Sequence, residues 1–397
     1  MRICLIAHRF YDNNTHMMQF ANALVRRGDQ VDVISLRSPG ASARENVEGV
    51  NVYRIQHRSI TERHPLQYLF RMLRYQLKTT FLLAWLHLRH PYDLIHVQAV
   101  PDFLVFSALV PKLMGTPVLL DLRDVMPELY ASKFGRSMDS TAVRVLLQIE
   151  RWSTRFASHV IIANPVWMEK ISRRAVPPEK CTMIWYYPDP QYFQPQPRVP
   201  GEKKIMMYPG TISWHQGVDI AVRAFPRILQ AIPGMEFHIY GVGDSWRDLA
   251  ALVAELGLEK SVLMMPALPL PQIIQKMSEC DVAIVPKRVS SRFGNEAAST
   301  KISEFMALGV PVVASRTEVE SRFFNDSELR YFEPENEEAL AEAVIEVCTN
   351  DEVRERLIRN GLAYVHEHGW SEGMQVYRQL VDRITGHPVE EGVVRQA

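Results

Sequence analysis

A cation and two carboxylates, Lys301 with Glu296 and Glu304, fall within one short stretch, Phe293-Gly-Asn-Glu-Ala-Ala-Ser-Thr-Lys-Ile-Ser-Glu-Phe-Met-Ala-Leu-Gly-Val-Pro-Val-Val-Ala314. Seven residues separate the two glutamates. An apolar strand, Val282–Val285, precedes the stretch, and a second, Val310–Ala314, follows its helix. The pattern between them predicts a loop and then a helix over Thr300–Leu308, with Ser299 or Thr300 as N-cap. Gly309 ends that helix and Pro311 prevents its continuation. Ile302, Phe305 and Met306 recur at helical spacing and face the core, while Lys301 and Glu304, three apart, share the other edge. A helix opening behind a strand offers unpaired N–H groups and a positive dipole end, which suit a diphosphate. Glu296 by itself reads as a solvated surface acid, the usual fate of glutamate. The whole string is harder to read as surface.

Other polar groups follow strands in the same way. Tyr208-Pro-Gly-Thr-Ile-Ser-Trp-His-Gln-Gly-Val-Asp219 leaves a strand for a helix, and so does the short turn Gly241-Val-Gly243-Asp244. A lone Gly-x-Gly is weak evidence of a phosphate loop. In the first half, His8-Arg-Phe-Tyr-Asp-Asn-Asn-Thr-His16 follows the first strand and reads as a polar loop carrying His8, Arg9 and Asn13. Arg123 and Asp124 end a later strand, where the plain reading is an Arg–Asp surface pair. His96 ends another.

The elements that must position these groups alternate. The first half predicts strands at Ile3–Ala7, Val31–Leu36, Val50–Ile55, Leu94–Val97, Val118–Asp121, Val160–Ala163 and Met183–Tyr186. Helices are predicted at Thr15–Arg27, Leu66–Leu88, Pro101–Met114, Ser140–Phe156 and Pro165–Arg173. Strands rich in Val, Ile and Leu that alternate with helices imply a parallel sheet covered on both faces. Five prolines in the thirteen residues from Pro188 to Pro200 mark a linker. The alternation then restarts, and helices at Glu337–Cys348, Glu352–Glu367 and Ser371–Ile384 finish the chain. The boundaries are 1–190 for the first domain, 191–202 for the linker, 203–370 for the second domain and 371–397 for a last helical segment. Two doubly wound units of this kind bind ligands outside the carboxyl ends of their strands.

Bulk properties restrict the function. Lys and Arg number 45, Asp and Glu 45, so no global field favours nucleic acid. Cys4, Cys181, Cys280 and Cys348 are scattered without metal-ligand spacing and read as reduced thiols of a cytosolic protein. The chain enters a strand at once, which argues against a signal peptide, and no apolar run reaches membrane-spanning length. Nothing calls for a metal.

The Glu296-to-Ala314 string resembles the Glu-x7-Glu signature of the family 4 retaining glycosyltransferases, in the Ser-Thr-Lys-Ile-x-Glu-Phe-Met-Ala-x-Gly-Val-Pro-Val-Val form of bacterial polysaccharide and exopolysaccharide enzymes. The resemblance covers most of the chain. It implies a GT-B fold of class α/β: two Rossmann-like domains facing a cleft, the second holding the nucleotide sugar and the first the acceptor, with the last helix crossing back to the first. It implies transfer from a UDP- or GDP-linked sugar without metal or cofactor, and retention of configuration with the leaving phosphate taking the acceptor proton. It places Glu304 on the ribose hydroxyls and Glu296 on a sugar hydroxyl near the anomeric carbon. Gly210, Thr211, Gly241, Gly243, Lys287, Arg292, Ala297, Ala298, Ser299, Thr300 and Lys301 complete the donor site. Arg123, Asp124 and Lys301 join Glu296 in the catalytic set, and His8, Arg9, Asn13 and His96 form the acceptor side.

The sequence departs from the family in three places. Thr211 and Gln216 replace an Arg and a Lys that grip the pyrophosphate, leaving Lys287, Arg288, Arg292 and Lys301 to neutralise it. Arg123 replaces a His, and the loop after the first strand lacks its Gly-Gly. A nicotinamide-dependent oxidoreductase is disfavoured because no Gly-x-Gly-x-x-Gly follows the first strand. An epimerase on the same plan and a non-catalytic saccharide-binding scaffold remain alternatives. The segment 64–90 is rich in aromatics, with Arg71, Arg74 and Lys78 on one face and Arg63 and Arg89 at its flanks. It suits either a core helix with a basic stripe or contact with the inner face of the plasma membrane, where a lipid-linked saccharide acceptor would lie.

Overall fold

The structure, a computed structural model, describes residues 1–57, 65–196 and 203–386. It divides into two compact units: Met1–Tyr130 with Ser137–Trp185 and the chain from Ser371, and Ala131–Arg136 with Tyr186–Trp370. The first unit ends at Trp185, against 190 in the expected division, and residues 131–136 group with the second unit. Of the expected linker, 197–202 lie outside the described residues, as do 387–397 of the last segment and 58–64, which include Arg63 and His64.

In the first unit eight strands, β1 (Arg2–Phe10), β2 (Gln30–Arg37), β3 (Arg44–Val47), β4 (Val50–His57), β5 (Leu94–Gln98), β6 (Val118–Leu122), β7 (His159–Ile162) and β8 (Cys181–Met183), form one sheet. Their order is β3-β4-β2-β1-β5-β6-β7-β8, parallel except for the β3–β4 pair. The order reverses between β1 and β5, the switch point of this sheet. Cys4, Ile95, Leu120 and Ile161 are wholly buried, as a sheet covered on both faces requires.

Three local expectations fail. The β3 strand is polar and joins β4 through Glu48 and Gly49, both at positive φ, so its sequence shows no apolar alternation. Pro101–Met114 is not one α-helix: a 3-10 segment, Asp102–Ala108, precedes a short helix, Leu109–Leu113. Pro111 has no N–H to donate to residue 107, which interrupts the ladder. The expected strand at Met183–Tyr186 ends at Met183.

The second unit carries β9 (Ile205–Pro209), β10 (Glu236–Tyr240), β11 (Val262–Met265), β12 (Val282–Val285), β13 (Val312–Ser315) and β14 (Arg330–Phe332), all parallel, in the order β11-β10-β9-β12-β13-β14. Its switch point lies between β9 and β12. The Val218–Ala231 and Glu337–Thr349 helices cover one face with Phe225, Ile228, Leu340 and Val344, and Ile302, Phe305 and Met306 of the Thr300–Ala307 helix cover the other. Gly309 stands at φ 72°, as the helix stop demands. The final helix, Trp370–Thr385, packs within the first unit: its Tyr377 hydroxyl lies 2.8 Å from His96 Nδ1, and Asp382 pairs with Arg27 at 2.7 Å.

Candidate functional site

At the carboxyl ends of β9, β10 and β11 the second unit opens a cavity of about 420 Å³. Gly210, Thr211, Gly241 and Val242 form one wall and Thr300, Lys301 and Glu304 another. Phe193, Tyr240, Leu268, Leu270, Ile273 and Met277 make the remainder apolar. The glycines are there because two backbones touch. A Cβ on Gly241, at φ 159°, would stand 1.8 Å from the Gly210 carbonyl oxygen, and one on Gly243 would stand 1.8 Å from that of Ile212. A Cβ on Gly210 would meet Lys301 Cε at 2.5 Å. The Gly210 N–H donates to the Tyr240 carbonyl at 2.8 Å, and the Ile212 N–H to that of Val242 at 3.0 Å.

Lys301 reaches into this cavity across the glycine loop. Its Nζ lies 5.4 Å from the centre of the Tyr208 ring. Burial lowers the ammonium to about 8, with the neighbouring Glu304 carboxylate opposing the shift. Burial likewise raises Glu304 above the usual carboxylate range, against the pull of Lys301, Tyr186 and Thr300. An ammonium that its half-buried setting destabilises gains from an anion placed beside it.

Glu296 is not the solvated acid its sequence suggests. It is 7% exposed and ends a short helix, Arg292–Glu296, that replaces the expected loop; the Ser291 Oγ caps that helix by accepting from the Gly294 N–H at 3.1 Å. Ala297, Ala298 and Ser299 follow, and Ser299 is the N-cap of the next helix with no capping bond from its hydroxyl. Two of the four expected diphosphate cations are committed elsewhere. Lys287 is 2% exposed, with its Nζ 3.1 Å from Glu320 Oε1 and donating to the Ala297 carbonyl. Arg288 pairs with Asp219 and donates to the Trp214 carbonyl at 3.0 Å. Lys287 is held by a buried carboxylate and Arg288 by a half-exposed one, which leaves Arg292, exposed on its short helix, and Lys301.

The first unit rearranges the expected acceptor side. Arg123 does not pair with Asp124; its Nε donates to the buried Asp121 carboxylate at 2.8 Å, and Asp124 instead meets Arg9 at 3.2 Å. Burial would raise Asp121, but Arg123 and His96 hold it at about 2. His96 drops out of the acceptor side: it is wholly buried, 2.8 Å from the Tyr377 hydroxyl and packed on Phe20. His8 is buried edge-on against Tyr75, and the side chain of Asn13 lies outside the described residues. Asp121, Glu320 and Tyr377 had no sequence signal beyond lying in apolar runs or a helix. Glu320 and Tyr377 take their importance from partners distant in the chain, as the Tyr377–His96 separation of 281 illustrates, and Asp121 takes its from Arg123, two residues on, together with His96 on the neighbouring strand.

A second surface belongs to the 25-residue helix Pro65–Arg89, which carries no acidic residue. Met72, Tyr75, Leu83 and Leu86 are buried beneath it, and the Tyr75 hydroxyl donates to the Ala7 carbonyl at 2.7 Å. Its outer side is also apolar: Leu69, Phe70, Leu73, Leu77, Phe81, Trp85 and Leu88 are exposed, Phe81 to 73%. Arg74 is exposed among them, and the Arg89 guanidinium stacks 4.0 Å over Trp85. Among the described residues no helix is long and apolar enough to cross a membrane.

Comparison with known proteins covers both units. Residues 14–186 match the glycosyl transferase 4-like domain and residues 191–363 the glycosyl transferases group 1 family. An uncharacterized glycosyltransferase of Methanocaldococcus jannaschii is 25% identical over 390 residues, 91% of this chain and 93% of that protein. The amylovoran biosynthesis glycosyltransferase AmsK of Erwinia amylovora is 26% identical over 152 residues, 38% of this chain and 37% of its own. Among solved structures, sucrose-phosphate synthase from Thermosynechococcus elongatus superposes with a TM-score of 0.77 at 20% identity, over 96% of this chain and all of that one. Anabaena HepE in complex with UDP and glucose does so with 0.73 at 16%, over 96% and 100%. The folds of these two are GT-B, and so is this one.

Proposed function

Since the chain belongs to the glycosyltransferases, 4-like in its first half and group 1 in its second, we propose that it takes its sugar from a nucleoside diphosphate held in the Gly210–Lys301 cavity and passes it, with retention, to a saccharide or lipid-linked saccharide. The observation that carries this reading is the convergence of Lys301, Glu304 and the glycine backbones on one cavity. The apolar wall of Phe193, Tyr240 and Leu268 suits a base. Glu304, three residues beyond Lys301 on the same helix, accepts from ribose hydroxyls. Lys301 and the amides opening its helix face the diphosphate, and stabilise the charge that develops there as the glycosidic bond breaks. Glu296 orients a sugar hydroxyl and offsets positive charge at the anomeric carbon. The departing phosphate oxygen accepts the proton of the attacking hydroxyl, so no covalent nucleophile is needed.

HepE is described in complex with UDP and glucose and AmsK with amylovoran biosynthesis, and on these we infer a UDP-linked donor and a surface-polysaccharide acceptor. The acid-free helix Pro65–Arg89, apolar on its outer side, fits contact with an anionic membrane surface, where a lipid-linked acceptor would be met. A thermal-shift screen with UDP, GDP and ADP tests the donor site: a nucleotide that binds only the folded chain raises its Tm. No shift with any of the three would overturn the assignment.

A further inference from the structure

Glu296 and Lys301 are joined by a loop whose backbone is held from behind by one buried ion pair. Lys287, just past β12, donates to the Ala297 carbonyl and meets Glu320 Oε1 at 3.1 Å. The same carboxylate oxygen accepts the Ser299 N–H at 3.0 Å. Lys287 is 2% exposed and Glu320 not at all. The segment that carries Glu320 also reaches the other side of Glu296: the Glu318 N–H donates to Asn295 Oδ1 at 2.8 Å and the Val319 N–H to the Asn295 carbonyl at 3.2 Å. Asn295, Ala297 and Ser299 are thus all tied to residues 287 and 318–320, and Glu296 sits between the tied points.

Stability alone does not call for charges here. A buried ion pair is expensive to desolvate, and an apolar pair of similar volume commonly serves as well. An apolar pair could not satisfy the Ala297 carbonyl and the Ser299 N–H, which are backbone groups that need partners when buried. We propose, on the donor-site reading above, that Lys287 and Glu320 are positioning residues for glycosyl transfer. They fix the distance and direction between the Glu296 carboxylate and the helix opening at Thr300 and Lys301, and touch neither donor nor acceptor. A displacement of about 1 Å in such a frame lowers turnover on the order of 100-fold.

The test compares wild type with E320Q, which keeps an acceptor for Ser299, and with the double variant K287M/E320L, which removes both charges together and so spares the fold an unpaired one. Hydrogen exchange of the apo chain is followed at 293–305, with Tm, and with kcat and KM for UDP-glucose and GDP-mannose as probe donors. The expected result for the double variant is a folded chain with Tm lowered by several degrees, for the Ala297 carbonyl and Ser299 N–H left without these partners, faster exchange confined to 293–305, kcat lowered by about 100-fold and donor KM changed less than about threefold. E320Q recovers part of that kcat. A double variant with wild-type kcat, or with unchanged exchange at 293–305, overturns the proposal, since a purely structural pair would be replaced without kinetic cost. If wild type turns over neither donor and no nucleotide slows exchange at 297–304, the donor-site reading falls and this role with it. The apo exchange still reports whether the tether exists.

Discussion

Lys301 holds its ammonium 5.4 Å from the centre of the Tyr208 ring, in a cavity whose walls lower it to about 8. Burial raises the Tyr208 phenol, so the ring stays neutral while the lysine titrates. This gives the donor site a pH dependence of definite sign. An unfolded lysine titrates near 10.5. Below about 8 both states are protonated and the fold carries the desolvation cost of a half-buried cation. Between 8 and 10.5 the folded chain has released a proton that the unfolded chain keeps, so this group makes the unliganded fold more stable as pH rises.

Binding of a nucleoside diphosphate should respond the other way. The anion selects the ammonium form, so affinity for UDP is constant below about 8 and falls up to tenfold per pH unit above it. Calorimetry in buffers of different ionisation enthalpy should show proton uptake near pH 8. In Lys301→Met the affinity should be lower and flat across this range. A wild-type profile flat to pH 10 would remove Lys301 from the diphosphate.

Glu304 should act on donor binding more than on chemistry. Losing a charged acceptor for two ribose hydroxyls costs about 1.5–3 kcal/mol, so Glu304→Ala should raise donor KM roughly 10- to 100-fold. Glu304→Gln should be milder, because an amide still accepts. A 2′-deoxy donor should lose correspondingly less with the variant than with wild type.

Much of this site was legible in the sequence because it is local. Lys301, Glu304, Ile302, Phe305 and Gly309 lie on one helix, and helical spacing sorts them into pocket, core and stop. The sequence presents Lys287 and Arg288 as diphosphate cations, and their partners, Glu320 and Asp219, lie 33 and 69 residues away, beyond the reach of local spacing. Arg123 is a different case: its partner, Asp121, is two residues back on the strand, and only the direction of the side chain distinguishes it from the adjacent Asp124. Spacing along the chain shows which face a residue occupies; it does not show which distant charge has claimed it. The polar β3 strand and the Pro111 interruption escaped for a different cause: each is decided by backbone hydrogen bonding rather than by apolar pattern.

Gly241 separates backbone contact from backbone strain. Gly241→Ala forces a methyl to 1.8 Å from the Gly210 carbonyl oxygen, so both glycine loops must part. Urea unfolding should show a loss of at least about 2 kcal/mol, with nucleotide binding abolished. Gly234 at φ 80° faces open space, so Gly234→Ala should cost only the local strain, about 1 kcal/mol, and leave nucleotide binding intact. Equal losses in the two variants would mean that the loops do not depend on their contact.

The outer side of the Pro65–Arg89 helix should decide membrane contact without involving the fold. Phe81 is 73% exposed and Leu77 59%, so replacing either by Asp removes little packing, and Tm should change by no more than a few degrees. Each side chain, once inserted among acyl chains, contributes about 1.5–3 kcal/mol, so Phe81→Asp should reduce flotation with vesicles at least tenfold. Arg74→Ala should cost about 1 kcal/mol on vesicles containing phosphatidylglycerol and nothing on pure phosphatidylcholine, and its effect should shrink as salt rises. Aromatic insertion and charge attraction thus leave different fingerprints: the first is indifferent to salt and headgroup, the second depends on both. A wild-type chain that floats with neither vesicle would leave the exposed stripe of Leu73, Leu77 and Phe81 to some protein partner and detach the acceptor from the membrane.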